Sequence, residues 1–305
     1  MSIHSRISHA FDNAPVLPLT RQSRYAIISD CHRGRGNSND NFLKNQNLYF
    51  TALTHYYENG FTYIELGDGD ELWENRKMSQ IAEIHSNVFW LLSLFHERGR
   101  LYMIYGNHDM EKKKANFCRC LQTSCFCREN RCVQSLFADL KFYEGLILES
   151  PCEDFRIFLT HGHQADFFNS VCWKLTRFLV RCLWKPLEHF GVLDPTSAAK
   201  NYVHKDRVEE HLSDYATQMR RPLITGHTHR PRLDPQAPYY MNSGSCVHPR
   251  CITCLEIACG KITLVKWTLS TRKDRTLFVA REILSEFVLL PQHGDASTNI
   301  SSQKF

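Results

Sequence analysis

The segment RYAIISDCHRGRG, Arg24 to Gly36, sets the pattern for the chain. Its first half is a short apolar run of the kind that fills a buried strand, and its second half is a loop carrying Asp, His and Gly. An apolar-periodic stretch from Phe42 to Tyr57 follows and stops before Gly60, which predicts a helix. FTYIELGDGDE, Phe61 to Glu71, starts the same phrase again, with a predicted helix from Ser79 to Glu97 ending before Gly99. LYMIYGNHD, Leu101 to Asp109, opens a third. Strands alternating with helices predict an α/β core, and the loops leaving the strands should collect along one edge, where open α/β sheets place their ligands.

Further along, LKFYEGLILE and FRIFLT read as strands, Asp166 to Arg220 as a predominantly helical region, and PLIT, YYMN, CITCLEIA and KITLVKWTL as strands again, the last two joined by a turn at Gly260. The polar end, PQHGDASTNISSQKF at residues 291–305, reads as a disordered tail.

The composition narrows the classes of function. The chain has 305 residues with 37 Lys and Arg against 32 Asp and Glu, a net charge of +5, too small and too evenly spread to predict nucleic-acid binding. An apolar run of about 18–20 residues is needed to cross a bilayer, and the longest here, SNVFWLLSLF from Ser86 to Phe95, stops at about half that. An odd number of cysteines, 13, behind a mixed polar start without a signal-like pattern argues against an exported, disulfide-stapled domain and predicts reduced thiols in a cytoplasmic protein.

Five polar clusters fall at strand ends: SDCHRGRG, GDGDE, GNHD, THGH and GHTH. One alone reads as a cap or turn. Five in succession supply the oxygen and nitrogen ligands of two divalent ions, which need a bridging carboxylate, further ligands for each ion and open positions for water and substrate. Asp68 is the natural bridge, Asp30 and His32 hold the first ion, Asn107, His161 and His227 the second, and His229 returns to the first. Such a pair would acidify a bridging water and polarise a phosphoryl oxygen for in-line attack on phosphorus by hydroxide. His108, beside Asn107 yet free to face substrate, is the candidate donor to the leaving oxygen, with Asp109 as its orienting group. Arg33 and Arg35 are candidates for gripping phosphate oxygens, and His163 for support behind His161.

In these blocks the chain resembles the calcineurin-like metallophosphoesterases, whose ordered signature is DxH, GD, GNH(D/E), H and GHxH, matched by DCH at Asp30, GD at Gly67, GNHD at Gly106, HGH at His161 and GHTH at Gly226. The resemblance implies a four-layer αββα sandwich over residues 22–290 and hydrolysis of phosphate esters or pyrophosphates by two metals, Mn, Fe or Zn. The family's metal positions fall on Asp30, His32, Asp68, Asn107, His161, His227 and His229, and its catalytic histidine on His108. LGDGDELWE, HGHQADFF and GHTHRPRL look most like bacterial UDP-2,3-diacylglucosamine pyrophosphatases, although those carry HGD and GNRD where this chain has HGH and GNHD. They insert a helical lid between the last two blocks, which places a lid insertion here at residues 166–220.

Within that insertion VCWKLTRFLVRCLWK, residues 171–185, carries Lys174, Arg177, Arg181 and Lys185 without an acid among large apolar residues. It is a candidate for covering a lipid-linked phosphate ester or for peripheral contact with an anionic membrane, against the plainer reading of an amphipathic helix on the core. Cys118, Cys120, Cys125, Cys127 and Cys132 cluster at a spacing unlike common zinc sites, and the other cysteines read as packing. The reading is therefore a two-metal phosphoesterase acting on a small-molecule or lipid-linked ester, with no nucleic-acid partner. A protein serine/threonine phosphatase, a nuclease and a non-catalytic scaffold on the same fold are the alternatives.

Overall fold

The structure, a computed structural model, describes residues 2–37, 40–114, 117, 124–127, 132–135, 137, 139–180, 182 and 202–290. In chain order its strands are β1 (Val16–Pro18), β2 (Tyr25–Ile28), β3 (Thr62–Leu66), β4 (Leu101–Ile104), β5 (Ser124–Cys127), β6 (Cys132–Ser135), β7 (Phe142–Tyr143), β8 (Gly145–Glu149), β9 (Arg156–Thr160), β10 (Leu223–Thr225), β11 (Tyr240–Asn242), β12 (Cys251–Ala258), β13 (Lys261–Thr271) and β14 (Leu277–Val288). The helices are α1 (Ile3–His9), α2 (Gln46–Glu58), α3 (Met78–Ile84), α4 (Ser86–Glu97), α5 (Phe167–Ser170), α6 (Trp173–Leu179) and α7 (Tyr202–Gln218).

Two sheets carry the fold, a seven-stranded one in the order β14-β13-β12-β2-β3-β4-β7 and a five-stranded one in the order β1-β8-β9-β10-β11. Their central strands are buried on both faces, so the side-chain alternation of a strand divides each between two cores. In β2, Ala26 and Ile28 join the core beneath α2, α3 and α4, whereas Tyr25 and Ile27 enter the core between the sheets. In β9, Ile157 and Leu159 enter that same inter-sheet core, and Phe158 packs outward against Ile7 of α1 and Leu212 and Tyr215 of α7. Three cores separate four layers: helices, sheet, sheet, helices. Each fully buried side chain of this size contributes about 1.5–3 kcal/mol to that stacking.

The chain changes sheets at Glu144, between β7 and β8, so LKFYEGLILE is two strands in different layers. The expected helix over Ser79 to Glu97 is interrupted at His85, whose buried ring reaches Asp40 Oδ2 at 3.0 Å. The Gly260 hairpin forms as read, with Ala258 opposite Lys261 and positive φ at Cys259 and Gly260. The elements that go beyond the sequence reading are α1, β1, the pair β5 and β6, and the twelve-residue edge strand β14. Of residues 166–220, read from the sequence as a lid insertion, α5, α6 and α7 are helical; residues 181 and 183–201 lie outside the described residues, as does the tail at 291–305. At the cysteine cluster the backbone of β5 and β6 pairs as an antiparallel ribbon, and the five cysteine side chains lie outside the described residues. No described helix is long and apolar enough to cross a membrane.

Candidate metal centre

β2, β3 and β4 run parallel in one sheet, and β9 and β10 run parallel in the other. Their carboxyl ends meet at one place, and each is followed by one of the five blocks. Asp30 and His32 follow β2, Asp68 follows β3, Asn107 follows β4, His161 follows β9, and His227 and His229 follow β10. The turns that deliver these side chains are strained. Asp30, His32, Asp68, His227 and His229 all have φ between 50° and 67°, a left-handed region that non-glycine residues enter at a cost of about 1–3 kcal/mol each. Gly106 is required by close approach, since a Cβ there would lie 2.2 Å from Asp68 Oδ1 and 2.6 Å from the Asp68 backbone nitrogen.

The ligand atoms fall into two groups, each within 4.8 Å: Asp30, His32 and His229, and Asp68, His161 and His227. In the first, His229 Nε2 lies 3.1 Å from Asp30 Oδ1 and 3.3 Å from His32 Nε2, and His32 Nε2 is 3.8 Å from both Asp30 Oδ1 and Asp68 Oδ2. In the second, His161 Nε2 lies 3.2 Å from Asp68 Oδ2. Asp68 Oδ2 therefore faces both groups.

Whether a cation fits is decided by atoms left over after the protein's own hydrogen bonds are made. Asp30 Oδ1, Asn107 Oδ1, His161 Nε2 and His227 Nε2 are buried without a hydrogen-bond partner among the described residues, although charged neighbours approach closely. Buried polar atoms are ordinarily satisfied. Four of them, at the ends of four strands that meet at one edge, are what a ligand set presents. The outer atoms are satisfied: His161 Nδ1 donates to the Leu66 carbonyl at 2.9 Å, Asp30 Oδ2 accepts from the His227 N–H at 3.0 Å, and His32 Nδ1 donates to Glu71 Oε2 at 3.0 Å. Such outer bonds fix the tautomer that turns a lone pair inward. The residues present fit two divalent cations of the imidazole- and carboxylate-binding class.

The electrostatics agree. Burial would raise the Asp30 carboxyl, but His229 and His161 hold it far below the usual carboxylate range. Burial would lower His161, but Asp68 and Asp30 push it up to about 9. Below pH 9, then, a cation must displace the His161 proton. Against the effect of burial, Asp30, Glu71 and Asp68 raise the His32 imidazole as well, so apparent affinity is expected to rise with pH through the neutral range. Calorimetry of Mn²⁺ binding at pH 7 in buffers of different ionisation enthalpy should show net proton release; binding without release would contradict this.

Of the remaining site residues, Asp109 and Arg33 are placed differently from their sequence reading. His108 is the most open of the site histidines and stacks on Trp73 at 4.2 Å between ring centroids. Its Nδ1 pairs with Glu71 at 2.7 Å, not with Asp109. Asp109 faces inward, accepting from the Gly106 N–H at 2.6 Å, the Gly69 N–H at 3.1 Å and Lys112 at 2.6 Å. Arg33, read as a phosphate grip, is fully buried instead, forked onto Glu65 at 2.8 and 2.9 Å and bonded to Asp70 at 2.8 Å. Arg35 is exposed on the following loop. His163 is buried 5.6 Å from the His161 ring, and burial together with His161 and His227 keeps it uncharged.

Glu71 and Asp166 are the residues that sequence reasoning missed. Glu71 was legible as the next carboxylate of the GDGDE block. Asp166 caps α5, accepts from His204 Nε2 at 2.7 Å and stands 3.5 Å from His227 Nε2, a placement that depends on α7 folding back over the site. The closing loop braces the GHTH turn, with Asn242 Nδ2 donating to the Gly226 carbonyl at 2.7 Å and Ser243 Oγ 2.7 Å from Ser29 Oγ.

No curated protein matches this sequence. Among solved structures, vacuolar protein sorting 29 of Cryptosporidium parvum is similar at 15% identity with a TM-score of 0.38, over 88% of this chain and all (100%) of that one. Vps29 of Chaetomium thermophilum is similar at 12% identity with a TM-score of 0.40, over 88% of this chain and 99% of that one. Residues 23–231, more than half of the sequence, match the calcineurin-like phosphoesterase family, and with two sheets, flanking helices and the ligand loops at their shared edge, the chain belongs to that family.

Proposed function

We propose that this protein hydrolyses phosphate ester or pyrophosphate bonds at a pair of divalent cations, held by Asp30, His32 and His229 on one side, Asn107, His161 and His227 on the other, and Asp68 between. The observation that carries this reading is that four loops, after β2, β4, β9 and β10, each bring a buried ligand atom without a hydrogen-bond partner among the described residues to the edge where a fifth loop presents Asp68. When bound, two such ions supply the charge that polarises a phosphoryl oxygen and acidifies water.

The chain's own residues supply the proton. Glu71 stays ionised, held down to about 2 by His108 and His32 against the effect of burial. It fixes His108 through Nδ1 and leaves Nε2 to face the leaving oxygen. The His108 backbone N–H donates to Asp68 Oδ1 at 2.8 Å, so the proton donor and the bridging carboxylate are tied together. Burial would lower His108, but Glu71 and Asp68 raise it above the ordinary imidazole value, which favours the acid form that donation requires. His108→Ala is expected to lower turnover about a hundredfold, toward the lower end for a lost general acid, with cation binding kept.

The substrate reading is drawn from the lid. Phe167, Phe168, Val171, Leu175 and Phe178 are exposed on α5, α6 and the turn between them, next to Asp166, and Lys174 is exposed among them. That surface favours an ester with an apolar or lipid-linked leaving part, handled at residues 171–185 against an anionic interface. A UDP-acyl-sugar pyrophosphate, a generic aryl diester and a phosphopeptide, assayed side by side with added Mn²⁺, test both levels. Preference for the acyl substrate supports the lid reading, preference for the phosphopeptide overturns it, and a metal-replete sample no more active than Asp68→Ala on all three sinks the hydrolase.

A further inference from the structure

Beneath the ligand set lies a second, fully buried layer of charge. Each loop leaving β2, β3 and β4 sends side chains outward to the ligand set and another down into this layer. Arg33 follows the ligand His32, Asp70 lies two residues after Asp68, and Asp109 two after Asn107. Glu65 joins from β3. At the centre is Lys112, with no exposed side-chain surface, its Nζ 2.6 Å from Asp109 Oδ2, 2.7 Å from Asp70 Oδ2 and 3.6 Å from Glu65 Oε1. Oxygens of Glu65, Asp70 and Asp109 lie within 4.8 Å of one another, a spacing suited to a cation, and here the ammonium takes that place. Three carboxylates face two cations.

We propose that Lys112 is a positioning residue of the metal centre, a fixed internal cation that ties the GDGD and GNHD loops so that Asp68 and Asn107 are presented to the same ion. The proposal rests on the two-ion reading above. Its physical basis is that buried charges separate or take up protons when a partner is lost, and each of these carboxylates is two or three residues from a ligand. Asp109 transmits the tie directly. Besides Lys112 it holds the Gly69 N–H of the GDGD loop and the Gly106 N–H of the GNHD loop, so it joins both loops by backbone as well as by charge. Arg33, held by Asp70 Oδ1 and Glu65, anchors the first loop to the same layer.

The test uses Lys112→Met, which keeps the length of the side chain, and the charge-balanced pair Lys112→Met with Asp70→Asn. In the pair, the carboxamide introduced by Asp70→Asn can still accept from Arg33 Nε through its oxygen while its N–H replaces the lost ammonium beside Asp109. Metal-depleted full-length protein is titrated with Mn²⁺, reading stoichiometry and affinity by calorimetry and the exchange-coupled signal of paired ions by electron paramagnetic resonance. In the single variant, the second ion should weaken by at least about tenfold and the coupled signal fade, the first ion should change by less than about threefold, and the pair should recover most of the loss. Wild-type binding of both ions by Lys112→Met, equal weakening of the two, or no recovery in the pair would overturn the proposal. Should the single variant fail to fold, the pair decides alone: folding with two coupled ions supports the positioning role, and failure to fold or a single ion refutes it. Failure of the two-ion reading itself would show in the wild-type protein, which would then bind fewer than two ions.

Discussion

Replacing Asp68 with alanine is expected to abolish coupled binding of the two cations and to lower phosphoester turnover on the order of ten-thousandfold, the several kcal/mol that paired ions contribute to such a reaction. The size of the effect follows from where the carboxylate stands. One of its oxygens faces both ligand groups, 3.2 Å from His161 Nε2 and 3.8 Å from His32 Nε2, and the other accepts the His108 N–H at 2.8 Å. A single substitution thus removes the bridge and loosens the proton donor. Fold stability should respond far less than it would to a simple loss of packing. Asp68 has φ of 51°, a strained conformation, and alanine does not relieve it, yet removing one anion from a crowded group also lets His161 shed its proton. The metal-free variant should melt within a few degrees of metal-free wild type, whereas wild type alone should gain stability with Mn²⁺. Turnover retained within about tenfold of wild type would place the chemistry elsewhere.

How far the sequence carried depends on how many partners a residue needs for its meaning. The seven candidate ligand positions could be read because each block states residue type and strand-end position together, and parallel strands then bring the ends into one place. The α/β alternation was legible for the same reason: RYAIIS and YIEL are too short and too apolar to be anything but buried strands. Glu71 was harder, because its meaning lies in pairing with His108, 37 residues later in the chain. Edge strand β14 hid because LFVAREILSEFV alternates against a single neighbour, β13, and much of it stays exposed. Asp109 was assigned to His108 by adjacency, but a strand-end turn sends consecutive side chains in opposite directions: His108 goes toward the opening and Asp109 to the layer beneath.

Arg33 makes that contrast measurable. A phosphate clamp and an internal anchor use the same residue at the same point in the chain, and only burial separates them. Removing a partner from a buried, hydrogen-bonded ion group costs about 3–5 kcal/mol, because the remaining charges are left without compensation. Arg33→Met would leave Glu65, Asp70 and Asp109, all buried, with Lys112 as their sole cation among the described partners. At about 2 °C per kcal/mol for a chain of this size, thermal unfolding should shift down by roughly 6–10 °C. Arg33→Lys should recover less than half of that shift, since an ammonium cannot reproduce the fork onto both Glu65 oxygens while also bonding Asp70 Oδ1. The catalytic signature should separate just as clearly. Assayed well below its melting point, the folded Arg33→Met protein should keep KM within about twofold of wild type, because the guanidinium makes no contact with substrate. Unchanged melting with KM raised tenfold or more would return Arg33 to the phosphate, and a lowered melting point with steady KM places it under the metal loops, where its charge holds the frame on which His32 and Asp68 are mounted.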